Sequence, residues 1–82
     1  MKKIVFSERA RADIRALSRE TAMVIFEALH RFAETGQGDT KKLKGDREEL
    51  RLRIGDYRVF FVSPSASTIE IRRVLHRKDA YR

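Results

Sequence analysis

Residues 50–61 read LRLRIGDYRVFF, and the pattern of this stretch decides the fold. Leucine or isoleucine at every second position of 50–54 alternates with arginine, which is typical of a strand with one buried face. Gly55-Asp56 follows, and glycine in first place predicts a two-residue type II′ turn because that position needs a positive φ. Residues 57–63 then return as the second strand. The stretch therefore predicts a tight β-hairpin.

A two-residue turn fixes the register of this hairpin, because each residue before the turn has one partner after it. Arg53 then lies opposite Arg58, Arg51 lies opposite Phe60, and these four side chains share one face of the sheet. Like charges placed directly opposite each other destabilise a sheet by about 0.2–1 kcal/mol. An anion among them would remove that cost, since the guanidinium fork matches a phosphate. We therefore expect a phosphate site on this face, with Phe60 available to stack on an RNA base.

The alternative is that these arginines are ordinary solvated strand residues. In that case nearby carboxylates would neutralise them, and the candidates in the sequence are Glu48, Glu49 and Glu70.

The first half of the chain has the 3.6-residue period of helices. Residues 3–6 predict a short strand, and Ser7 can cap a first helix directly after it. Ser18 can cap a second helix, which Gly36 ends. Few residues separate the two helices, so we expect them to form a helical hairpin.

The remaining segments complete an α+β prediction. Residues 36–39 and 63–67 read as loops, residues 68–75 as a further strand, and the rest as a tail. We expect an N-terminal strand and a helical hairpin packed on one face of an antiparallel sheet. A chain of 82 residues has room for one modest core, so residues 1–82 should form a single domain. The other face of the sheet stays open, and function should be sought there.

Composition narrows the class of protein. The formal net charge is +7, and residues 41–82 carry +6 of it, which indicates a polyanionic partner such as nucleic acid or an acidic protein. There is no cysteine and only two distant histidines, so we expect no metal site and no cofactor. No apolar run has the length of a signal peptide or a membrane span, so we expect a cytoplasmic protein with no membrane partner.

Three motifs carry a resemblance to a known family: LKG at 43–45, LRLRIGDYRV at 50–59 and HRKDAY at 76–81. In their order, their spacing and the overall length, the chain resembles the RelE/ParE superfamily of bacterial and archaeal toxins, and within it the RelE branch. The resemblance implies a RelE-like, microbial-RNase-like fold and a toxin of a type II toxin–antitoxin system. The implied activity is that of a metal-independent, ribosome-dependent mRNA endoribonuclease, or mRNA interferase. In this reaction the 2′-hydroxyl attacks the adjacent phosphate and the mRNA is cut. Cutting the mRNA inhibits translation.

The resemblance also implies catalytic residues: Arg51, Arg53, Arg58, Arg77 and Tyr81, with His76 as a further candidate. Well-known members carry lysine where this chain has Arg51 and Arg53. Arginine essentially cannot lose its proton, so these two are expected to stabilise charge rather than to act as a general base. His76 either exchanges a proton, as histidine can near neutral pH, or ends the last strand facing away from the site.

The same resemblance suggests an RNA-binding role for Lys41, Lys42, Lys44 and Phe60. A solvated run of lysines is the competing interpretation. Tyr81 would stack on a base or bind the phosphate, and the alternative is that it packs the chain's tail.

Partners follow from the resemblance as well. A cognate antitoxin with an acidic or amphipathic segment should cover the domain, and the ribosome and mRNA should be the targets. Operator DNA would be bound only through the antitoxin complex. Two other functions share this fold: a ParE-like inhibitor of DNA gyrase, and a catalytically decayed homologue that still binds antitoxin or RNA.

Overall fold

The computed structural model describes residues 2–42 and 49–80. Strands and helices follow one another in these ranges as β1 (Lys3–Phe6), α1 (Glu8–Arg15), α2 (Arg19–Thr35), β2 (Asp39–Lys42), β3 (Leu50–Ile54), β4 (Tyr57–Ser65), β5 (Thr68–His76) and α3 (Arg77–Ala80). The five strands form one sheet in the order β1-β5-β4-β3-β2. The α+β prediction is confirmed. None of the helices described is long and apolar enough to cross a membrane.

The hairpin of β3 and β4 has the predicted register. Arg53 pairs with Arg58, and Arg51 pairs with Phe60. Gly55 has a φ of 57°, and no other residue type has a positive φ in the described ranges, so the φ angles fit a type II′ turn. The local turn chemistry therefore sets the pairing of the central strands.

Both predicted helix caps are present. The Ser7 hydroxyl accepts a hydrogen bond from the Ala10 amide at 3.1 Å, and the Ser18 hydroxyl accepts one from the Thr21 amide at 3.2 Å. Gly36 ends α2 with a left-handed φ of 76°, and its amide donates to the carbonyl of Phe32. Such caps satisfy backbone groups that a helix end would otherwise leave without partners.

The core lies between the helices and one face of the sheet. From the helices it contains Ala10, Ile25, Leu29 and Ala33, and from the sheet Leu52, Val59, Phe61, Ile69, Ile71 and Val74. Phe32 and Phe61 meet edge to face with ring centroids 5.4 Å apart, which joins α2 to the middle of the sheet. The helices therefore cover the Leu52 side of the sheet. The face that carries Arg51 and Arg53, here called the open face, is the opposite one.

Four features differ from the sequence-based prediction. Residues 39–42 form an edge strand, β2, although residues 36–39 had been predicted as a loop. The tail contains a short helix, α3, and β4 continues to Ser65 through part of the predicted 63–67 loop. Strand β1 runs parallel to β5, whereas an antiparallel sheet had been expected. These differences arise because edge pairing depends on contacts distant in sequence rather than on local pattern.

Gly38 allows the chain to enter β2 close to the core. A Cβ atom at this position would lie 2.7 Å from Cδ1 of Leu52 and 3.1 Å from Cδ1 of Phe32. Any larger residue here would have to displace the side chain of Leu52, which is buried in the core.

Asp13 joins α1 to the edge of β5 where β1 has ended. Its Oδ2 accepts from the Val74 amide and from Nε of Arg73, both at 2.8 Å, and its Oδ1 accepts from the same guanidinium at 3.2 Å. The Asp13 side chain is 15% exposed. One carboxylate thus satisfies an edge amide of the sheet and holds a bidentate arginine.

We expect Asp13→Asn to lower the free energy of unfolding by about 1–3 kcal/mol, because hydrogen bonds to a charged group are lost at a largely buried site. Urea denaturation at neutral pH measures this. The control is Glu34→Gln, which removes a carboxylate from an exposed pair with His30 and should change little. Equal effects of the two substitutions would contradict the assigned role.

Acid should remove this contribution. Burial alone would raise the pKa of Asp13, but hydrogen bonds from Arg73 and the Val74 amide, with attraction from Arg73 and Arg9, hold the pKa below its ordinary value. Such a group stabilises the fold above its unfolded pKa of about 3.9, and the gain is lost as pH falls through the folded pKa. The stability gap between the parent and Asp13→Asn should therefore narrow below about pH 4. A gap that stays constant down to acid pH would contradict this explanation.

Candidate functional site

The open face brings together the predicted hairpin residues. Arg51, Arg53, Arg58 and Phe60 occupy it in two cross-strand pairs. Arg53 is exposed, while Arg51 and Phe60 are half-buried. Strand β2 extends the face, because Lys41 pairs with Arg51. The result is a continuous basic surface across three strands.

Arg58 differs from its neighbours because it is buried, with 8% of the residue exposed. One terminal nitrogen, Nη1, donates to the carbonyl oxygens of Gly55 and Tyr57, both at 2.9 Å. The guanidinium therefore stabilises the hairpin turn as well as lying on the basic surface. Sequence reasoning had placed Arg58 on this face but had not found its structural role.

Asp39 is a residue of this face that sequence reasoning missed. It pairs with Arg53, so one row across the sheet reads Asp39, Arg53, Arg58. No local signal could have found it, because the strand DTKK has no apolar alternation and was not predicted as a strand.

Of the other two predicted lysines, Lys42 is described and does not join the basic surface. Lys42 pairs with Leu50, so strand alternation puts it on the same side as the helices. Lys44 lies outside the described residues, as does the LKG motif at 43–45.

At the C-terminal end, Arg77 lies next to the hairpin turn. Its amide donates to the carbonyl of Asp56 at 2.7 Å, and its Nε is 3.8 Å from Oδ1 of the same residue. Both side chains are mostly exposed, so the ion pair is weak. Arg77 is therefore near the Arg58 end of the open face. Tyr81 lies outside the described residues.

His76 lies on the other side of the sheet from the arginines. It pairs with Tyr57, which packs against the core, and the two rings meet edge to face at 5.3 Å. Its Nδ1 accepts a hydrogen bond from the Lys78 amide at 3.2 Å. The structure thus does not bring His76 together with the basic surface, and it gives the ring a capping role in the tail.

One carboxylate considered as a neutralising partner is directed elsewhere. Glu70 lies 3.5 Å from Nη1 of Arg72, on the strand β5 that carries both residues. Glu48 lies outside the described residues. The alternative in which Glu70 neutralises the hairpin arginines is therefore not supported.

Comparison with known proteins now identifies the family. The family model described as the ParE toxin of type II toxin-antitoxin system, parDE, matches residues 4–81. The chain belongs to the RelE/ParE toxin superfamily. A curated relative, Toxin RelE3 of Methanocaldococcus jannaschii, is 46% identical over 43 residues, which is 52% of this chain and 48% of the relative. The match thus spans less than half of that relative's length.

Solved structures of RelE toxins have the same fold as this superfamily member. The toxin in the RelB-RelE antitoxin-toxin complex from Methanococcus jannaschii superposes with a TM-score of 0.74 at 27% identity, covering 94% of both chains. The RelBE2 complex from Mycobacterium tuberculosis gives a TM-score of 0.78 at 24% identity, covering 93% of this chain and 98% of that one. The RelE-like fold predicted from the sequence is confirmed.

The two paired arginines should respond differently to truncation. We expect Arg58→Ala to lower the free energy of unfolding by about 1–3 kcal/mol, because two turn carbonyls lose a charged donor. Arg53→Ala, which removes an exposed like charge opposite Arg58, should change it by no more than about 0.5 kcal/mol. Chemical denaturation of both variants measures this, and a change of no more than about 0.5 kcal/mol for Arg58→Ala would contradict its role in holding the turn.

Proposed function

We propose that this toxin is a ribosome-dependent mRNA endoribonuclease that cuts without a metal ion. The observation that carries the proposal is the cross-strand pair of Arg53 and Arg58 on the open face, flanked by Arg51. Like charges directly opposite each other on a sheet cost stability, and a phosphate bound between Arg53 and Arg58 would lower that cost.

The proposed reaction is attack of a ribose 2′-hydroxyl on the adjacent phosphate, with the 5′-oxygen of the next nucleotide as the leaving group. The transition state concentrates negative charge on the phosphate oxygens, so fixed cations there have the largest effect. Arg51 and Arg53 would stabilise that charge from β3, and Arg58 would do so from β4. Arg77 would contribute from the turn end. Phe60 would stack on a neighbouring base.

The proposed roles of four further residues have different amounts of support. These residues are Lys41, Lys42, Lys44 and Tyr81. Lys41 lies on the open face and is well placed to bind an RNA backbone phosphate. Lys42 lies on the other side, where it would meet only ribosomal RNA that wraps the edge of the sheet. Tyr81 and Lys44 are proposed on resemblance alone.

We propose that a cognate antitoxin holds this toxin silent in the cytoplasm. The relatives from Methanococcus jannaschii and Mycobacterium tuberculosis were solved as complexes with their antitoxins. A net charge of +7 favours a partner with an acidic segment, which would fold onto the toxin as it binds. Operator DNA would be contacted by the antitoxin of that complex.

A second candidate is inhibition of DNA gyrase. It is favoured by one observation, the match of residues 4–81 to the family model described as a ParE toxin. The fold is common to both activities, so the target decides between them. Cut messages with intact DNA identify the nuclease, whereas DNA breaks with continuing translation identify the gyrase inhibitor.

The decisive experiment compares two exposed arginines. Purified parent, Arg53→Ala and Arg31→Ala are added to ribosomes programmed with a defined mRNA, and RNA 5′ ends are mapped over time. Arg31 lies on α2, away from the open face, and Arg31→Ala is the control. Each of the two substitutions removes one positive charge. We expect Arg53→Ala to cut about 10²–10³-fold more slowly, as for loss of one charge-stabilising donor, and Arg31→Ala to cut like the parent.

Other outcomes contradict the proposal in different ways. Equal cutting by Arg53→Ala and the parent would show that the arginine row is not the site. Binding of the parent to ribosomes without cutting would favour the decayed homologue. DNA damage on induction, without new RNA ends, would favour the gyrase inhibitor.

A further inference from the structure

The arginine row leaves one requirement of the proposed reaction unmet. A 2′-hydroxyl must lose its proton as it attacks, and a general base normally takes it. Arginine cannot serve, because it does not release its own proton in proteins. His76 lies on the other side of the sheet with Nδ1 bonded to the Lys78 amide. A carboxylate on the open face can take this role.

Asp39 is a carboxylate next to the arginine row. It pairs with Arg53, which in turn pairs with Arg58, so the carboxylate stands at the end of the row of guanidinium groups. Cβ atoms of directly opposite residues are about 4.5–5.5 Å apart. The Asp39 side chain is therefore a direct neighbour of the Arg53 side chain, on the face where a phosphate would be bound.

The Asp39 carboxylate is also available for chemistry. It is exposed, and none of the hydrogen bonds or ion pairs between described residues occupies it. Its backbone is nevertheless well fixed, because β2 pairs with β3 over four residues and Gly38 packs closely on Leu52. An accessible side chain on a fixed backbone suits a group that must meet a substrate in one orientation.

Among the residues that the structure describes, the charged groups next to Asp39 in the sheet are all cations. Arg53 lies opposite on β3, Arg51 lies diagonally on the same strand, Lys41 is the next residue of β2 on that face, and Arg58 follows on β4. Among these groups only Asp39 can accept a proton at neutral pH. A purely structural carboxylate would instead be expected to form an ion pair, as Asp13 does with Arg73.

We propose that Asp39 is the general base of the cleavage reaction, an inference that rests on the proposed nuclease function. The Asp39 carboxylate takes the proton of the 2′-hydroxyl as the bond from O2′ to phosphorus forms. The bond from phosphorus to O5′ breaks, and the leaving oxygen takes a proton from water. The products are a 2′,3′-cyclic phosphate and a free 5′-hydroxyl, and Asp39 returns its proton to solvent.

The test is single-turnover cleavage on programmed ribosomes by the parent, Asp39→Asn, Asp39→Glu and a control, Glu34→Gln. Asparagine keeps the size of the side chain but cannot take a proton. We expect Asp39→Asn to cut about 10²–10⁴-fold more slowly at saturating ribosomes, with unchanged ribosome affinity and unchanged thermal stability. Asp39→Glu should recover part of the rate. Glu34→Gln removes the same charge from an exposed position of α2 and should cut like the parent.

A pH profile separates a base from a structural carboxylate. The parent rate should fall on the acid side, and the residual rate of Asp39→Asn should lack that dependence on pH. The inference is overturned if Asp39→Asn cuts as fast as the parent, or if its loss equals its loss of affinity or of folded protein. Failure of the nuclease proposal looks different, because then the parent itself does not cut.

Discussion

The φ angle of Gly55 is the constraint on which the rest of this structure depends. A two-residue turn with a positive φ at its first position fixes which residues of β3 and β4 face each other. A slip by one residue would exchange the two faces of β3, so Arg51 and Arg53 would enter the core and Leu52 would leave it. Burying unpaired guanidinium groups costs far more than any turn can supply, so the register has no competitor. Arg58 also stabilises this register, because its guanidinium donates hydrogen bonds to the carbonyls of Gly55 and Tyr57 at the same turn.

The bulge in β5 is the second constraint, and it decides which side of the sheet His76 occupies. Phe61 pairs with Ile71, but Phe60 pairs with Arg73, so Arg72 is an extra residue of β5. Without this extra residue, strand alternation would place His76 on the same face as Arg51 and Arg53. With it, His76 pairs with Tyr57 on the helix side. A bulge re-aims every side chain that follows it, and here it separates the histidine from the phosphate site.

Features that depend on residues close together in the sequence could be predicted, whereas features that depend on distant residues could not. The hairpin, the helix caps at Ser7 and Ser18 and the arginine pairs could be predicted, because alternation, capping and turn chemistry act within a few residues. Strand β2 could not, because all four of its residues are exposed and its strand conformation depends on pairing with β3. The side of His76 could not either, since a single inserted residue in β5 reverses it. The structural role of Arg58 could not be predicted, because its guanidinium binds a backbone carbonyl, which every residue has.

The position of β2 suggests why such a strand belongs to this fold. It buries none of its four side chains, so it adds little to the hydrophobic core, and it lies at the edge of the sheet. Its lysines suit an edge strand, because charge there opposes pairing with another chain. Its remaining effect is on the open face, where it adds Lys41 and Asp39 to the arginines of β3. A face made of arginine alone can bind and stabilise an anion but cannot accept a proton. The edge strand therefore places a carboxylate, Asp39, at the end of the row formed by Arg53 and Arg58, and with it a second kind of chemistry.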